Sequence, residues 1–161
     1  MDFTYTEEQE MLRKMAREFL EKECPERFVR GMEKDPRGYS PDLWQKMADL
    51  GWQGLVFPEK FGGSAGTVTD LAVLYEEFGR ALLPSPHLST VILGGLTVLN
   101  AASEAQKTEF LPKIVNGKAV IALALTEPES SWDGNDWKPE AVTLRARQNG
   151  DDYVLNGAKR L

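Results

Sequence analysis

The chain has 161 residues, of which 42% are hydrophobic and 27% charged, and its 19 basic and 25 acidic side chains give a net charge of −6. This balance is typical of a globular protein, and the negative charge argues against general binding to nucleic acid or anionic membranes. One cysteine and one histidine are too few for a Cys/His zinc site. No apolar stretch reaches the roughly 18 residues of a membrane span, and the acidic N-terminus is unlike a signal peptide. We therefore expect a cytoplasmic protein.

The first 24 residues predict an amphipathic helix. Thr6 and Gln9 have the spacing of a capping box, and apolar residues then recur at helical spacing up to Cys24. No histidine lies near Cys24 in the sequence, so we interpret it as a helix-end cysteine rather than a nucleophile. The charged segment 25–40 contains proline and glycine and predicts a loop with at most one helical turn.

Four further helices are predicted between residues 40 and 117. The second begins at Ser40 and the third near Thr69, while Ser103 caps the fifth, whose inner face carries Phe110 and Leu111. The fourth helix, residues 87–101, is apolar nearly all round, which predicts a central, buried position.

The periodicity changes after residue 118. Residues 119–125 form a continuous apolar run typical of a strand covered on both faces, residues 141–147 alternate, and residues 149–152 (NGDD) suit a hairpin turn before the β-rich segment 152–157. Helices followed by strands predict an α+β fold, with a helical domain over 1–118 and a partial β domain over 119–161. Because so few strands leave open edges, we expect the chain to be part of a longer protein.

The apolar run ends on Thr126, Glu127 and Pro128. A proline bars a central strand from continuing, so the last backbone groups need a turn, water or a ligand. One interpretation is a strand that simply turns at the proline. The other is a strand end that offers a hydroxyl and backbone groups to a flat heteroaromatic ligand, covered by Trp132 or Trp137.

Segment 104–128 closely resembles the acyl-CoA dehydrogenase family, in which a helix with Gln-Lys leads through Leu-Pro and a glycine turn to a strand ending in Ala-Leu-Thr-Glu-Pro. Other family features occur in the same order: the first helix, the Pro-Glu-x-x-Gly-Gly connector, the Glu-Glu-x-Gly-Arg segment and the Tyr-x-Leu-Asn-Gly-x-Lys strand, at residues 3–23, 43–63, 75–86 and 153–161. The resemblance implies an N-terminal helical domain followed by the opening strands of a β-barrel-like middle domain.

The resemblance also implies a function. Family members are FAD-dependent oxidoreductases of fatty acid metabolism that desaturate an acyl-CoA thioester between its alpha and beta carbons and pass electrons to an electron-transfer flavoprotein. They are homo- or hetero-oligomers, and their catalytic glutamate lies in a C-terminal domain. Glu127 does not correspond to that base, so we assign no catalytic residue to this chain.

For the cofactor, the resemblance implies contacts from Leu123, Leu125 and Thr126, with Thr126 facing the flavin pyrimidine edge. The family motif continues as Gly-x-Gly-Ser-Asp, whereas this chain has Ser131 in place of the second glycine and Trp132 in place of the serine at the flavin phosphate or CoA. We assign Ser131 and Trp132 to the cofactor site by position. Side chains other than glycine restrict a close approach of the backbone to a ligand.

For the substrate, the resemblance implies that Ser89, Thr90 and Leu93 on the fourth helix line the acyl pocket. Core packing is the competing interpretation of Leu93. His87, at the start of the same helix, fits a surface position better than a substrate contact.

Three functions fit the family. The first is an acyl-CoA dehydrogenase, the second is a non-catalytic partner subunit that has lost its flavin site, and the third is a flavin-dependent hydroxylase of the same fold. The altered segment after Pro128 favours the second. An all-helical interaction module is a fourth interpretation, against which the β-rich end argues.

Overall fold

The computed structural model describes residues 4–128 and 142–160, and the chain divides into two units, Met1–Ala122 and Leu123–Leu161. All helices assigned among the described residues lie in the first unit, and both assigned strands lie in the second. This order confirms the predicted α+β class. The predicted domain boundary after residue 118 stays a prediction.

The first unit contains six α-helices over its described residues, where five helices were expected. They are α1 (Glu7–Glu23), α2 (Glu26–Met32), α3 (Pro41–Asp49), α4 (Val68–Arg80), α5 (Leu96–Ala101) and α6 (Glu104–Val115). Two 3-10 turns (Trp52–Gly54 and Glu59–Phe61) and a π-helix (Leu88–Gly95) lie between them.

Local capping residues fix where most helices begin. The Thr6 hydroxyl accepts from the N–H of Gln9, and the Gln9 side chain accepts from the N–H of Thr6, which confirms the capping box of α1. Ser103 and Gln106 form the same reciprocal box at α6, whereas at α3 the hydroxyl of Ser40 accepts from the N–H of Leu43 alone. Helix α4 begins slightly before the predicted position, because Thr67 provides its cap.

The prediction of a loop over residues 25–40 is wrong for its first part, where α2 forms. Pro25 precedes the first turn of α2, a place where proline costs no hydrogen bond. Phe28 and Val29 pack against the core beside α1, and Arg30 pairs with Glu26 at 2.6 Å. The contribution of tertiary packing to such a short helix is not readable from its charged sequence.

Helices α1, α3 and α4 contribute to a first hydrophobic cluster, which consists of Ala16, Leu20, Cys24, Leu43, Met47, Trp52, Leu74 and Phe78. Cys24 is buried, and burial raises the pKa of its thiol. A protonated, inaccessible thiol is a packing group, which agrees with its interpretation as a helix-end cysteine.

The second cluster joins α3, α6 and the π-helix, and consists of Trp44, Phe57, Phe61, Val91, Leu111, Ile114 and Val115. Leu111 lies on the inner face of α6 as predicted. The same prediction is wrong for Phe110, which is exposed and lies beside Lys113.

The predicted fourth helix differs from expectation in both geometry and burial. Residues 88–95 form a π-helix that continues into α5, and Leu88 and Leu93 are largely exposed. Only the face carrying Thr90 and Val91 is buried. An all-apolar sequence therefore did not imply burial on all sides.

The second unit contains an antiparallel hairpin of β1 (Ala146–Asn149) and β2 (Asp152–Leu155), with Ala146 opposite Leu155. Gly150 adopts a φ of +66°, and the turn confirms the predicted hairpin at NGDD. The predicted strand over 119–125 forms no ladder with any described residue, and Val120 and Leu125 are exposed. Coverage on both faces is therefore wrong for this segment.

Candidate functional site

Thr126 is joined to Arg160 by an isolated antiparallel bridge within the second unit. The N–H of Arg160 donates to the carbonyl of Thr126 at 2.8 Å, and the hydroxyl of Thr126 donates to the carbonyl of Arg160 at 2.7 Å. The hydroxyl thus keeps only its acceptor capacity for a ligand. The bridge brings together the Thr-Glu-Pro segment and the end of the Asn-Gly-x-Lys segment.

The neighbouring carboxylate of Glu127 is only 5% exposed and is held by charged and polar donors. Its Oε1 accepts from Nζ of Lys159 at 2.7 Å and from the N–H of Leu144 at 2.9 Å, and its Oε2 accepts from the N–H and the hydroxyl of Thr143, both at 2.7 Å. The ammonium of Lys159 first, and then the donors of Thr143, lower the pKa of Glu127 to about 2. A carboxylate stabilised so strongly in its charged form is a poor general base.

The backbone just before Thr126 keeps free hydrogen-bonding groups. Among the described residues, the N–H groups of Leu123 and Leu125 have no partner, whereas the carbonyl of Leu125 accepts from Nζ of Lys159 at 3.3 Å. Leu123 is half-buried and Leu125 is exposed. Free donors between apolar side chains are what a flat, polar-edged ring system needs, so these residues fit the flavin predicted there.

Two of the predicted cofactor residues, Ser131 and Trp132, lie outside the described residues, as does Trp137. Their assignment stays a prediction.

Thr90, predicted to line the substrate pocket, is fully buried in the first unit. Its hydroxyl donates to the carbonyl of Ile121 at 3.1 Å and accepts from the N–H of Ile121 at 3.2 Å. The side chain therefore replaces a strand partner for this part of the apolar run. The hydroxyl of Thr90 is therefore already engaged, which argues against the predicted contact with substrate.

Ser89 and Leu93 lie on the same π-helix and differ in what they offer. The hydroxyl of Ser89 donates to the carbonyl of Pro86 at 2.9 Å. Leu93 is 45% exposed, so its side chain is free to contact an apolar ligand and does not belong to the core. Both predicted substrate contacts remain predictions, and Leu93 is the better placed of the two.

The π-helix and its glycine pair are the features of this region that the sequence prediction missed. A Cβ on Gly94 would lie 2.6 Å from Cγ1 of Ile121, and a Cβ on Gly95 would lie 2.5 Å from Cζ of Phe57. The helix therefore packs so closely against Ile121 and Phe57 that only glycine, which has no Cβ, fits at these two positions. The adjacent Gly94 and Gly95 in an apolar helix were the available signal, and π-helical turns often occur at functional sites.

His87 lies in the core, so the expectation of a surface position is wrong. Its ring Nε2 lies 3.2 Å from the carbonyl of Trp52, and its Nδ1 lies 2.8 Å from the hydroxyl of Tyr75. A carbonyl only accepts, so Nε2 carries the proton and Nδ1 accepts from Tyr75. Burial lowers the pKa of His87 to about 4, because the charged form loses its hydration there. The histidine is a structural group that positions the start of the π-helix.

The predicted site residues thus fall into two sets. Leu123, Leu125 and Thr126 lie together in the second unit, and Ser89, Thr90 and Leu93 lie together on the π-helix of the first. Within the ranges 4–128 and 142–160, no cluster of three His, Cys, Asp or Glu side chains has the arrangement of a metal site. Over the same ranges, none of the helices has the length and apolar character needed to span a membrane.

Comparison with known proteins places this geometry in a family. Residues 6–118 match the family model described as "Acyl-CoA dehydrogenase, N-terminal domain". The chain is 33% identical over 160 residues to an acryloyl-CoA reductase (NADH) of Anaerotignum propionicum, with 99% of this chain and 39% of that protein covered.

Two solved structures extend the comparison to three dimensions. An acyl-CoA dehydrogenase of Bacillus anthracis complexed with FAD matches with a TM-score of 0.83 and 30% identity, over 96% of this chain and 26% of the other. The ChsE4-ChsE5 complex of Mycobacterium tuberculosis matches with a TM-score of 0.79 and 28% identity, over 98% and 39%. The likeness confirms the predicted helical domain and the start of the middle β domain.

The chain therefore spans about two fifths of the relative that it matches over 160 residues. Its motifs, its helical unit and its family-model match agree, and the chain belongs to the acyl-CoA dehydrogenase family.

Proposed function

We propose that this chain is the N-terminal part of an FAD-dependent acyl-CoA dehydrogenase, which desaturates an acyl-CoA thioester between its alpha and beta carbons. The observation that carries the proposal is that the N–H groups of Leu123 and Leu125 have no partner among the described residues and lie between apolar side chains, in the segment that resembles the family's flavin strand. Family membership supplies the chemistry that this geometry serves.

FAD would supply the redox step by accepting the beta hydrogen of the substrate as hydride. The residues of this chain would hold the cofactor. Leu123 and Leu125 would contact the ring system, and Thr126 would offer its hydroxyl oxygen. Ser131 and Trp132 would contact the phosphate end of FAD. The general base would lie outside these residues, since the carboxylate of Glu127 is committed to Lys159.

The substrate side of the proposal rests on the exposed face of the π-helix. Leu93 would contact the apolar acyl chain, with Ser89 beside it, while Thr90 would hold the wall in place through Ile121. In this proposal the protein acts in fatty acid metabolism, passes electrons to an electron-transfer flavoprotein and works as an oligomer. A cytoplasmic location stays a prediction.

A second candidate is a non-catalytic subunit that assembles with an active relative. The specific observation in its favour is the sequence after Pro128, where Ser131 and Trp132 replace the small residues of the family motif. One structural neighbour is itself a complex of two named components, ChsE4 and ChsE5.

Flavin retention separates the two candidates. The full-length protein is mixed with FAD, desalted and scanned for the visible flavin bands. The dehydrogenase proposal predicts bound flavin in the protein purified alone. A colourless full-length protein that acquires flavin only when a related subunit is co-expressed would contradict it and support the second candidate.

A further inference from the structure

The carboxylate of Glu127 connects three segments of the second unit that are far apart in sequence. It accepts from Thr143 and Leu144 on one side and from Lys159 on the other. We call this set of Glu127, Thr143, Leu144 and Lys159 the Glu127 clasp. None of its members belongs to the flavin contacts assigned above.

The clasp contacts the chain on both sides of Thr126. Nζ of Lys159 lies 2.7 Å from Oε1 of Glu127 and 3.3 Å from the carbonyl oxygen of Leu125, so one ammonium group contacts the residues before and after Thr126. The next residue, Arg160, pairs with Thr126 itself through two hydrogen bonds. The orientation of the Thr126 backbone is therefore set by neighbours that the clasp holds.

Burial distinguishes the clasp from the surface ion pairs of this protein. The side chains of Lys159 and Glu127 are 23% and 6% exposed, whereas those of Lys60 and Glu104 in the first unit are 62% and 69% exposed. Exposed pairs contribute little to structure, but a buried carboxylate whose donors are removed keeps its desolvation cost without compensation. Breaking the clasp should therefore alter local structure where breaking Lys60–Glu104 does not.

We propose that Glu127 is a positioning residue: through the clasp with Lys159 it fixes the backbone of Leu125 and Thr126 in the orientation that receives the flavin. The flavin part of this inference rests on the proposed function. The structural part, the hold on Thr126, stands on the hydrogen bonds of the second unit alone.

Amide hydrogen exchange in the full-length protein tests the structural part. Glu127→Gln and Lys159→Met each remove the charge pair, and Glu104→Gln is the matched control. We expect the N–H of Arg160, which bonds to Thr126 and not to Glu127, to exchange about tenfold faster in both clasp variants, as for the loss of one hydrogen bond to a charged group. Lys159→Arg, which keeps the charge, should restore much of the protection.

Two results would overturn the structural part. Unchanged exchange at Arg160 would show that the clasp does not hold Thr126. An equal loss of protection across the hairpin amides of Asp152–Leu155 would show that Glu127 supports the whole unit rather than this segment.

The FAD dissociation constant tests the functional part. We expect Glu127→Gln to raise it about tenfold, with no effect from Glu104→Gln. An unchanged constant in Glu127→Gln would overturn the positioning role. A wild-type protein that binds no FAD would instead refute the proposed function, and the exchange result would still decide whether the clasp holds Thr126.

Discussion

At the scale of single residues, polar side chains that resemble ligand contacts are used by the protein itself. The hydroxyl of Thr90 bonds both the N–H and the carbonyl of Ile121, and the carboxylate of Glu127 forms an ion pair with Lys159. The residue types alone could not distinguish these roles, because each partner is 31 or 32 positions away in the chain. In the part of the chain that the structure describes, the groups of Leu123 and Leu125 left without a partner are backbone N–H groups, which a residue type does not reveal.

Thr90→Val tests the structural role of Thr90. Valine has nearly the same shape but leaves the N–H and the carbonyl of Ile121 without their partner, so we expect the free energy of unfolding to fall by about 1–3 kcal/mol. Denaturant unfolding measures the change. Thr97→Val is the matched control, since the exposed hydroxyl of Thr97 donates to the carbonyl of Leu93, four residues before it. Equal losses in the two variants would contradict this role.

The pH dependence of stability reports on His87. Its pKa is about 4 in the folded protein and about 6.5 in an unfolded chain, so the unfolded state binds the extra proton between these values. The contribution of neutral His87 to the free energy of unfolding is complete above pH 6.5 and is lost as the pH falls towards 4. The loss between pH 7 and pH 5 is about 2 kcal/mol.

Comparison of wild type with His87→Gln isolates this contribution from that of the carboxylates. The difference in unfolding free energy between the two proteins should shrink by this amount as the pH falls from 7 to 5. A difference that stays constant over this range would show that His87 does not remain neutral in the fold.

At the scale of elements, local sequence signals predicted the helix starts correctly, whereas features that depend on tertiary contacts were not predicted. The capping residues Thr6, Ser40 and Ser103 mark helix starts because a cap acts on its own first turn. The periodicity predicts an ordinary helix where the π-helix forms, and it does not show the close approach of Ile121 and Phe57 to the glycine pair, which is a tertiary contact. The apolar run 119–125 reads as a strand, but a strand also needs a partner, and among the described residues only the Thr126–Arg160 bridge provides one.

Gly95→Ala tests the close packing of the π-helix. A methyl group at this position would meet the ring of Phe57, so we expect a loss of about 1–3 kcal/mol in the free energy of unfolding. Gly79→Ala in α4 is the control, because nothing lies within 4 Å of a Cβ there. Alanine in that helix should stabilise the protein by about 0.5–1 kcal/mol. Similar effects of both substitutions would contradict the packing account.

At the scale of the whole molecule, the order of motifs predicted the family, whereas the site required coordinates. Glu77 of the Glu-Glu-x-Gly-Arg segment is a buried carboxylate that pairs with Arg17 at 2.6 Å and with Arg80 at 2.8 Å, so this motif joins α1 to α4 and serves the fold. Glu127 of the Thr-Glu-Pro motif and Lys159 of the Asn-Gly-x-Lys motif form the ion pair of the Glu127 clasp in the second unit. Sequence order identified all three motifs, but their division between fold and cofactor site depends on contacts across 30 or more positions.

We propose that the full-length protein carries out the flavin chemistry of an acyl-CoA dehydrogenase, and the decisive measurement is anaerobic titration of the flavin-loaded full-length protein with acyl-CoA thioesters of increasing chain length. We expect at least one thioester to bleach the visible flavin absorbance, with formation of the enoyl-CoA product. Flavin that stays oxidised with every thioester would refute the proposed dehydrogenase function.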